Sequence, residues 1–375
     1  MDAHRASVLV NRFLNGCAGI GLTRDTESCA GIPGMASPRV CHVTLGRDTD
    51  RLVVQMLPGQ LVDEYERSAG RLAEALGAHH LRIRRRAFGV ITLELLYSDP
   101  LGIQLEIHPE PAPDLLLGST DAGPMRARLD QMAHLITQGA TRSGKSRFTY
   151  GLLVQLIERD DVLICGSDVT GLLLRPFKGT KHDHLQALGS KDPEAHLAVL
   201  EELCRIMDER LASMPDDTDV FPCSTTDPYI WVVLEELPGL LRVAQATDDL
   251  HKGQRGYVPL VARIKATYGR LLAESAKVGF RVHVITQRAD ATIVGGFERG
   301  QAPLRISFAV DSTEAVAMLH PAADLDTAKA HLNALPSYAL VSAPGLPCTR
   351  LRAPLMGSYQ DFYARIAAHQ VVPAE

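Results

Sequence analysis

Residues 139–146 read GATRSGKS, a complete GxxxxGK[ST]. No other segment constrains the chain as strongly, because such a loop works in only one setting. A strand must lead into it and a helix must leave it, so that backbone N–H groups converge on a phosphate. Both neighbours are present. Residues 134–137 form a short apolar strand, and Phe148, Leu152, Leu153, Leu156 and Ile157 recur at helical spacing. The candidate nucleotide-binding set is therefore Gly139, Ala140, Thr141, Arg142, Ser143, Gly144, Lys145, Ser146 and Arg147. The glycines permit close backbone approach. Lys145 is expected to reach the β and γ phosphates, and Ser146 to ligate a metal. The cofactors so implied are ATP and Mg²⁺.

The rest of the chain suits this setting. Apolar segments at 161–165, 229–234, 280–286 and 304–310 have strand length and alternate with helical patterns. Asp192-Pro193 caps one long helix, and 259–277 reads as another that ends at Gly279. Short apolar strands between helices predict an α/β fold, with a mainly parallel sheet covered on both faces. At 375 residues the expected number of domains is about two. Residues 1–40 show little periodicity and are read as an extension, with AGIPGMASP at 30–38 as linker. Residues 41–112 predict a small α+β domain, with strands at 40–43, 52–56, 81–85 and 90–96 and a helix over 62–76 closed by Gly77. Residues 113–375 predict the larger nucleotide-binding domain.

A phosphate-binding loop needs an acidic site at the end of an apolar strand beside its own strand. YIWVVL at 229–234, followed by Glu235 and Glu236, meets that need. Glu235 would hold the metal through water and Glu236 would polarise an attacking water. The alternative is an acid-rich helix N-terminus after a buried strand. Gln287 ends the segment 284–288, VITQR, where it can sense a γ phosphate or be no more than a polar strand end.

Composition excludes several classes. Apolar residues are 46% and charged residues 22% of the chain, which rules out wholesale disorder. The apolar stretches are strand-sized, so none predicts a membrane span. The net charge of −5 leaves room only for a local basic surface. Seven widely spaced cysteines without a CxxC predict reduced thiols, not disulfides or a zinc site. Leu14-Asn15-Gly16-Cys17 resembles a lipoprotein signal, but Asn11 and Arg12 interrupt the apolar run it requires. His79-His80 and the pair His182 and His184 read as loop and surface residues.

Together these pieces resemble the FtsK/SpoIIIE family of DNA-translocating ATPases. MAHLI at 132–136, PYI through EL at 228–237, AKVGFRVHVITQR at 276–288 and PLRISF at 303–308 occur in that family's order. LPGQ at 57–60 and LAEALGAHHLRI at 72–83 are similar to its small preceding domain. The resemblance covers about 40–360, and the smaller actinobacterial transfer-type members look most similar. It implies a RecA-like motor in a cytoplasmic homohexameric ring that moves double-stranded DNA, possible membrane-associated transfer partners, and catalytic roles for Lys145, Glu235, Glu236 and Gln287. A neighbouring subunit's arginine is implied too, with Arg305 and Arg288 as candidates and Arg281 and Arg270 behind them. Pore-lining loops fall at 242–257 and 289–301. Arg82, Arg84, Arg85 and Arg86 form a basic cluster that fits a solvated strand face or a DNA-facing patch. Two positions depart from the family pattern: Glu235 replaces its Asp, and Arg142 a common Gly. A membrane anchor and a C-terminal winged-helix reader are not expected, since 362–370 is too short for the latter. Alternative functions are protein secretion and a nucleotide-gated assembly module without turnover.

Overall fold

The structure, a computed structural model, describes residues 2–27, 33–46, 49–108, 113–132, 134–289 and 295–370. The chain divides into two compact units, Met1–Ile103 with Asp121–Gly123, and Gln104–Thr120 with Pro124–Glu375.

The first unit runs α1 (Asp2–Gly19), β1 (Arg24–Glu27), β2 (Pro33–Ala36), β3 (Arg39–Thr44), β4 (Thr49–Gln55), α2 (Val62–Arg67), α3 (Ala69–Leu76), β5 (His80–Ala87) and β6 (Val90–Leu96). β1 and β2 pair with each other, and β3 to β6 form an antiparallel sheet in the order β3-β4-β6-β5. Its core joins Leu52, Val54, Ile91 and Leu93 of the sheet to Tyr65, Leu72 and Leu76 of the helices. α1 belongs to the same core, because Leu9, Phe13 and Cys17 recur every fourth residue and are buried. Residues 2–19 are thus a packed helix, not linker. Asn11, Arg12, Asn15 and Gly16 fill its other faces and mask the stripe in the sequence. Of the expected linker 30–38, residues 30–32 lie outside the described residues. The single helix expected over 62–76 is two, divided at Ser68 (φ −99°, ψ 2°), while Gly77 closes the second in a left-handed conformation (φ 71°). In the basic cluster, Arg82 and Arg84 join Arg51 around Glu94 at 3.0, 3.7 and 3.2 Å.

The second unit contains β7 (Asp114–Thr120), β8 (Gly123–Arg128), β9 (Leu135–Gln138), α4 (Lys145–Ile157), β10 (Val162–Asp168), β11 (Gln186–Leu188), α5 (Pro193–Ala212), β12 (Tyr229–Glu235), α6 (Leu237–Leu250), α7 (Leu260–Glu274), β13 (Phe280–Thr286), α8 (Gly296–Gln301), β14 (Leu304–Phe308), α9 (Thr313–Leu319), α10 (Leu325–His331), β15 (Tyr338–Ala343), β16 (Leu346–Arg352) and α11 (Tyr359–Ala367). The sheet order is β11-β10-β12-β13-β9-β14-β15-β16-β7-β8. β11 through β14 in that order are parallel, and β15, β16 and β7 extend the sheet antiparallel. The fold is α/β with a large mixed, mainly parallel sheet.

Both faces of the parallel part are covered, as unbroken apolar runs require. Trp231 and Val233 of β12 face a core with Phe148, Leu152 and Phe362 of α4 and α11. Ile230, Val232 and Leu234 face a second core with Leu200, Leu240 and Ile264 of α5, α6 and α7. Asp192 accepts from Ala195 N at 3.0 Å and caps α5 as its sequence predicts. β12 does not lie beside β9, because β13 is inserted between them and pairs with both.

Candidate functional site

The second unit's site forms where β9, β10, β12 and β13 end. β9 stops at Gln138, whose side chain fixes what surrounds it. Gln138 donates to Ser307 Oγ on β14 at 2.6 Å and accepts from Ala289 N at 2.9 Å. The loop is then pinned by backbone: Gly139 N to Gln287 O at 3.3 Å, Ala140 N to Ala309 O at 2.8 Å, and Ser337 N to Ser143 O at 3.1 Å. Its glycines answer to space. A Cβ on Gly139 would stand 2.7 Å from Phe308 Cβ, and one on Gly144 would stand 2.6 Å from Ser337 N. Gly144 also has φ 106°, a conformation closed to most side chains. Arg142 takes the left-handed conformation as well (φ 69°), which explains in steric terms why glycine suits that position. α4 starts at Lys145, so Lys145 and Ser146 sit where helix N–H groups are unpaired.

A cavity of about 810 Å³ brings the predicted residues together: Lys145, Ser146, Glu235, Glu236 and Gln287 all line it, as do Ala140, Thr141, Arg142, Gly144 and Arg147. Gly139 and the buried Ser143 support the loop from behind. Gln104, Tyr150, Thr170, Pro336, Ser337 and residues 352–356 complete the lining. The inserted β13 explains the arrangement. It delivers Gln287 between the loop and the acids, while Glu235 ends β12 one strand further out.

The two acids differ. Glu235 Oε2 is buried and has no hydrogen-bond partner among the described residues. Burial pushes the Glu235 carboxyl up to about 7, with further help from the nearby Asp168 and Glu236 and opposition from Lys145. Lys145 is pulled below its ordinary value by burial, while Glu236 and Glu235 hold it up. Glu236 has a left-handed backbone (φ 54°, ψ 50°), fixed by its N–H on Ile285 O at 2.8 Å and by its C=O accepting from Gly239 N at 2.8 Å. A non-glycine residue held this way carries local strain. Here it turns the chain sharply from β12 into α6 and leaves the Glu236 carboxylate on the cavity wall.

Residues 115–219 match the model of the FtsK/SpoIIIE family. The chain carries an FtsK/SpoIIIE-family domain. It is 24% identical over 298 residues to DNA translocase SftA of Bacillus subtilis, and 25% identical over 312 residues to DNA translocase FtsK of Listeria monocytogenes. Those alignments cover 73% of this chain but only 29% and 38% of the two relatives. In fold, the chain is similar to the pCW3 conjugation coupling protein TcpA (TM-score 0.51, 16% identity, 96% of this chain and 98% of that one). It is also similar to EssC, ATPases 2 and 3, from Geobacillus thermodenitrificans (TM-score 0.53, 11% identity, 74% of this chain and 53% of that one).

Within the second unit, the four candidate arginines separate. Arg305 donates to the carbonyls of Ala302, Leu319 and Arg299, and does not line the cavity. Arg281 is buried and donates to Leu129, Ala276 and Phe280 carbonyls. Arg270 is held by Asp208 and Glu274. Arg288 is exposed and pairs with Asp311 at 3.5 Å. The first expected pore loop is shorter than 242–257, because α6 continues to Leu250 with Leu240 and Ala244 buried. In the second, 290–294 lie outside the described residues, and α8 follows. His182 is fully buried, not a surface residue, and its Nδ1 accepts from Ile164 N at 3.0 Å. Among the described residues no His, Cys, Asp and Glu group has metal-holding geometry, and no helix is long and apolar enough to cross a membrane. Sequence reasoning missed Asp168 and Thr170. Gly166 and Ser167 end the apolar run after Cys165, although β10 continues to Asp168.

Proposed function

We propose that this chain is an ATP-hydrolysing motor that moves double-stranded DNA as a cytoplasmic homo-oligomer, its larger domain occupying 113–375. The observation that carries the reading is the convergence of Lys145, Ser146, Glu235, Glu236 and Gln287 on one cavity, in a domain of the FtsK/SpoIIIE family. Loop N–H groups and Lys145 would bind the ATP phosphates and offset their charge. The orphaned, buried Glu235 Oε2 beside Ser146 and Lys145 fits a bound Mg²⁺. Ser146 and Glu235 would hold that ion, which neutralises charge on the phosphate oxygens when bound. Glu235, raised toward 7, gains an ionised form when a cation meets it.

Glu236 would take a proton from the water that attacks the γ phosphorus. Its strained backbone fixes the carboxylate before substrate arrives, so little reorganisation is needed at the moment of reaction. Gln287, tied to the loop through its own carbonyl, would orient that water and report the γ phosphate to β13. Arg288, the least committed of the four arginines, is the proposed donor to a neighbouring subunit's site. The relatives' names, DNA translocase, support the DNA cargo.

The test is ATPase activity with and without linear double-stranded DNA, together with Glu236→Gln. Stimulation by DNA is expected. The variant should bind ATP and lose hydrolysis roughly 10²-fold or more. Unchanged turnover in Glu236→Gln would remove it from the mechanism, and turnover indifferent to DNA would point to another cargo.

A further inference from the structure

Asp168 ends β10 and is the register partner of Glu235 on β12. Register partners on neighbouring parallel strands project to the same face of the sheet, so the two carboxyl groups share a side. Asp168 is fully buried, yet no basic side chain bonds it among the described residues. Its charge is met instead by the turn that follows. Oδ1 accepts from Thr170 Oγ1 and Gly171 N, both at 2.9 Å, and Oδ2 accepts from Leu173 N at 2.7 Å and Leu174 N at 2.9 Å. One carboxylate thus fixes the turn at 169–174 by four bonds.

The turn reaches the cavity through Thr170. Gly171 makes the necessary left-handed bend (φ 68°). The far side is tied down by Tyr359 Oη, which donates to Leu172 O at 2.8 Å. The Thr170 hydroxyl has a single proton, and that proton is committed to Asp168. Its oxygen takes only a long bond from Leu172 N at 3.4 Å. What Thr170 presents to the cavity is therefore an acceptor, on the wall shared by Lys145, Glu235 and Glu236.

We propose that Asp168 is a positioning residue of the nucleotide site: it orients Thr170 so that the hydroxyl oxygen accepts from a water in the cavity. A carboxylate that spends all its acceptors on one turn cannot itself act on substrate. It can set where Thr170 stands. This rests on the ATPase reading above.

The experiment uses the full chain with Mg²⁺, ATP and linear double-stranded DNA. Turnover is compared for the unaltered protein, Thr170→Val, Thr170→Ser and Asp168→Asn, with binding read by a fluorescent ATP analogue. Thr170→Val keeps the shape and removes the hydroxyl, so kcat should fall roughly 10-fold with KM changed less than about threefold. Thr170→Ser should restore most of it. Asp168→Asn sets an NH₂ against at least one N–H donor of the turn in either orientation of its amide, and should lower kcat further, with ATP still bound. Should that variant fail to fold, the Thr170 pair decides. Unchanged kcat in Thr170→Val, no restoration by Thr170→Ser, or a loss confined to KM overturns the proposal while leaving the ATPase reading intact. No turnover or nucleotide binding by the unaltered protein overturns both.

Discussion

The cavity has two walls, and they are built on different physics. One is contiguous, residues 139–146, and its demands are steric: glycines where a Cβ would strike Phe308 or Ser337, and N–H groups left open at the start of α4. The other is assembled from the ends of β10, β12 and β13, and its demands are electrostatic: Asp168, Glu235 and Glu236 crowded together with Lys145. The first wall is complete as folded. The second holds like charges that a bound cation would relieve. A site that exchanges nucleotide needs both, a fixed seat for the phosphates and an acidic edge that gains by receiving metal and substrate.

The largest expected effect falls on the steric wall. Gly144→Ala places a Cβ 2.6 Å from Ser337 N and 3.1 Å from Ser337 Cα, both backbone, at φ 106°. Neither the loop nor residue 337 can yield cheaply. The variant should lose about 2–4 kcal/mol from the second unit's stability and more than tenfold in ATP-analogue affinity. Denaturant unfolding and fluorescence titration measure both. A variant of unaltered stability would show that this wall is softer than its geometry, and the contrast with the acidic wall would fail.

The acidic wall predicts the opposite sign. Glu235 has an ordinary value of 4.5 and is raised to about 7 in the fold. Below 4.5 it is protonated whether folded or not, and the folded state is favoured most. As pH rises through 7 the folded protein must carry the buried charge, and that stability is lost. Glu235→Gln has no such charge. It should be more stable than the unaltered chain by on the order of 1–3 kcal/mol at pH 8, with the gap closing toward pH 4.5. Stability curves at pH 5, 6.5 and 8 without nucleotide test this. A gap that does not change with pH would mean Glu235 is paired in the fold after all.

The same contrast governs how much could be read from the sequence. The contiguous wall was legible because its chemistry is local: a strand, eight residues, a helix. Glu235 and Gln287 were legible because each ends an apolar run. The order of the strands was not, since nothing in YIWVVL or VHVIT says that β13 comes between β12 and β9. Asp168 was hidden because Gly166 and Ser167 interrupt β10 before the residue that matters. α1 was hidden because an apolar residue every fourth position, among asparagines and glycines, is a narrow stripe. A polar residue buried by a turn that folds back on it leaves no periodic signal at all.

The smallest effect tests whether the steric wall carries needless strain. Arg142 sits at φ 69°, where a side chain costs about 1 kcal/mol relative to glycine. Replacing it by glycine removes that cost but adds freedom to the unfolded chain, worth about 0.4–1 kcal/mol in the other direction. Arg142→Gly should therefore leave stability within about 0.5 kcal/mol of the unaltered value, with a gain more expected than a loss. The guanidinium is exposed at the loop apex, so no buried packing goes with it. Denaturant unfolding of the two proteins at equal pH and salt decides the matter. A loss greater than about 1 kcal/mol would mean that the Arg142 side chain, not the backbone alone, helps to hold the loop. The contiguous wall would then share the charge dependence that otherwise belongs to the strand ends.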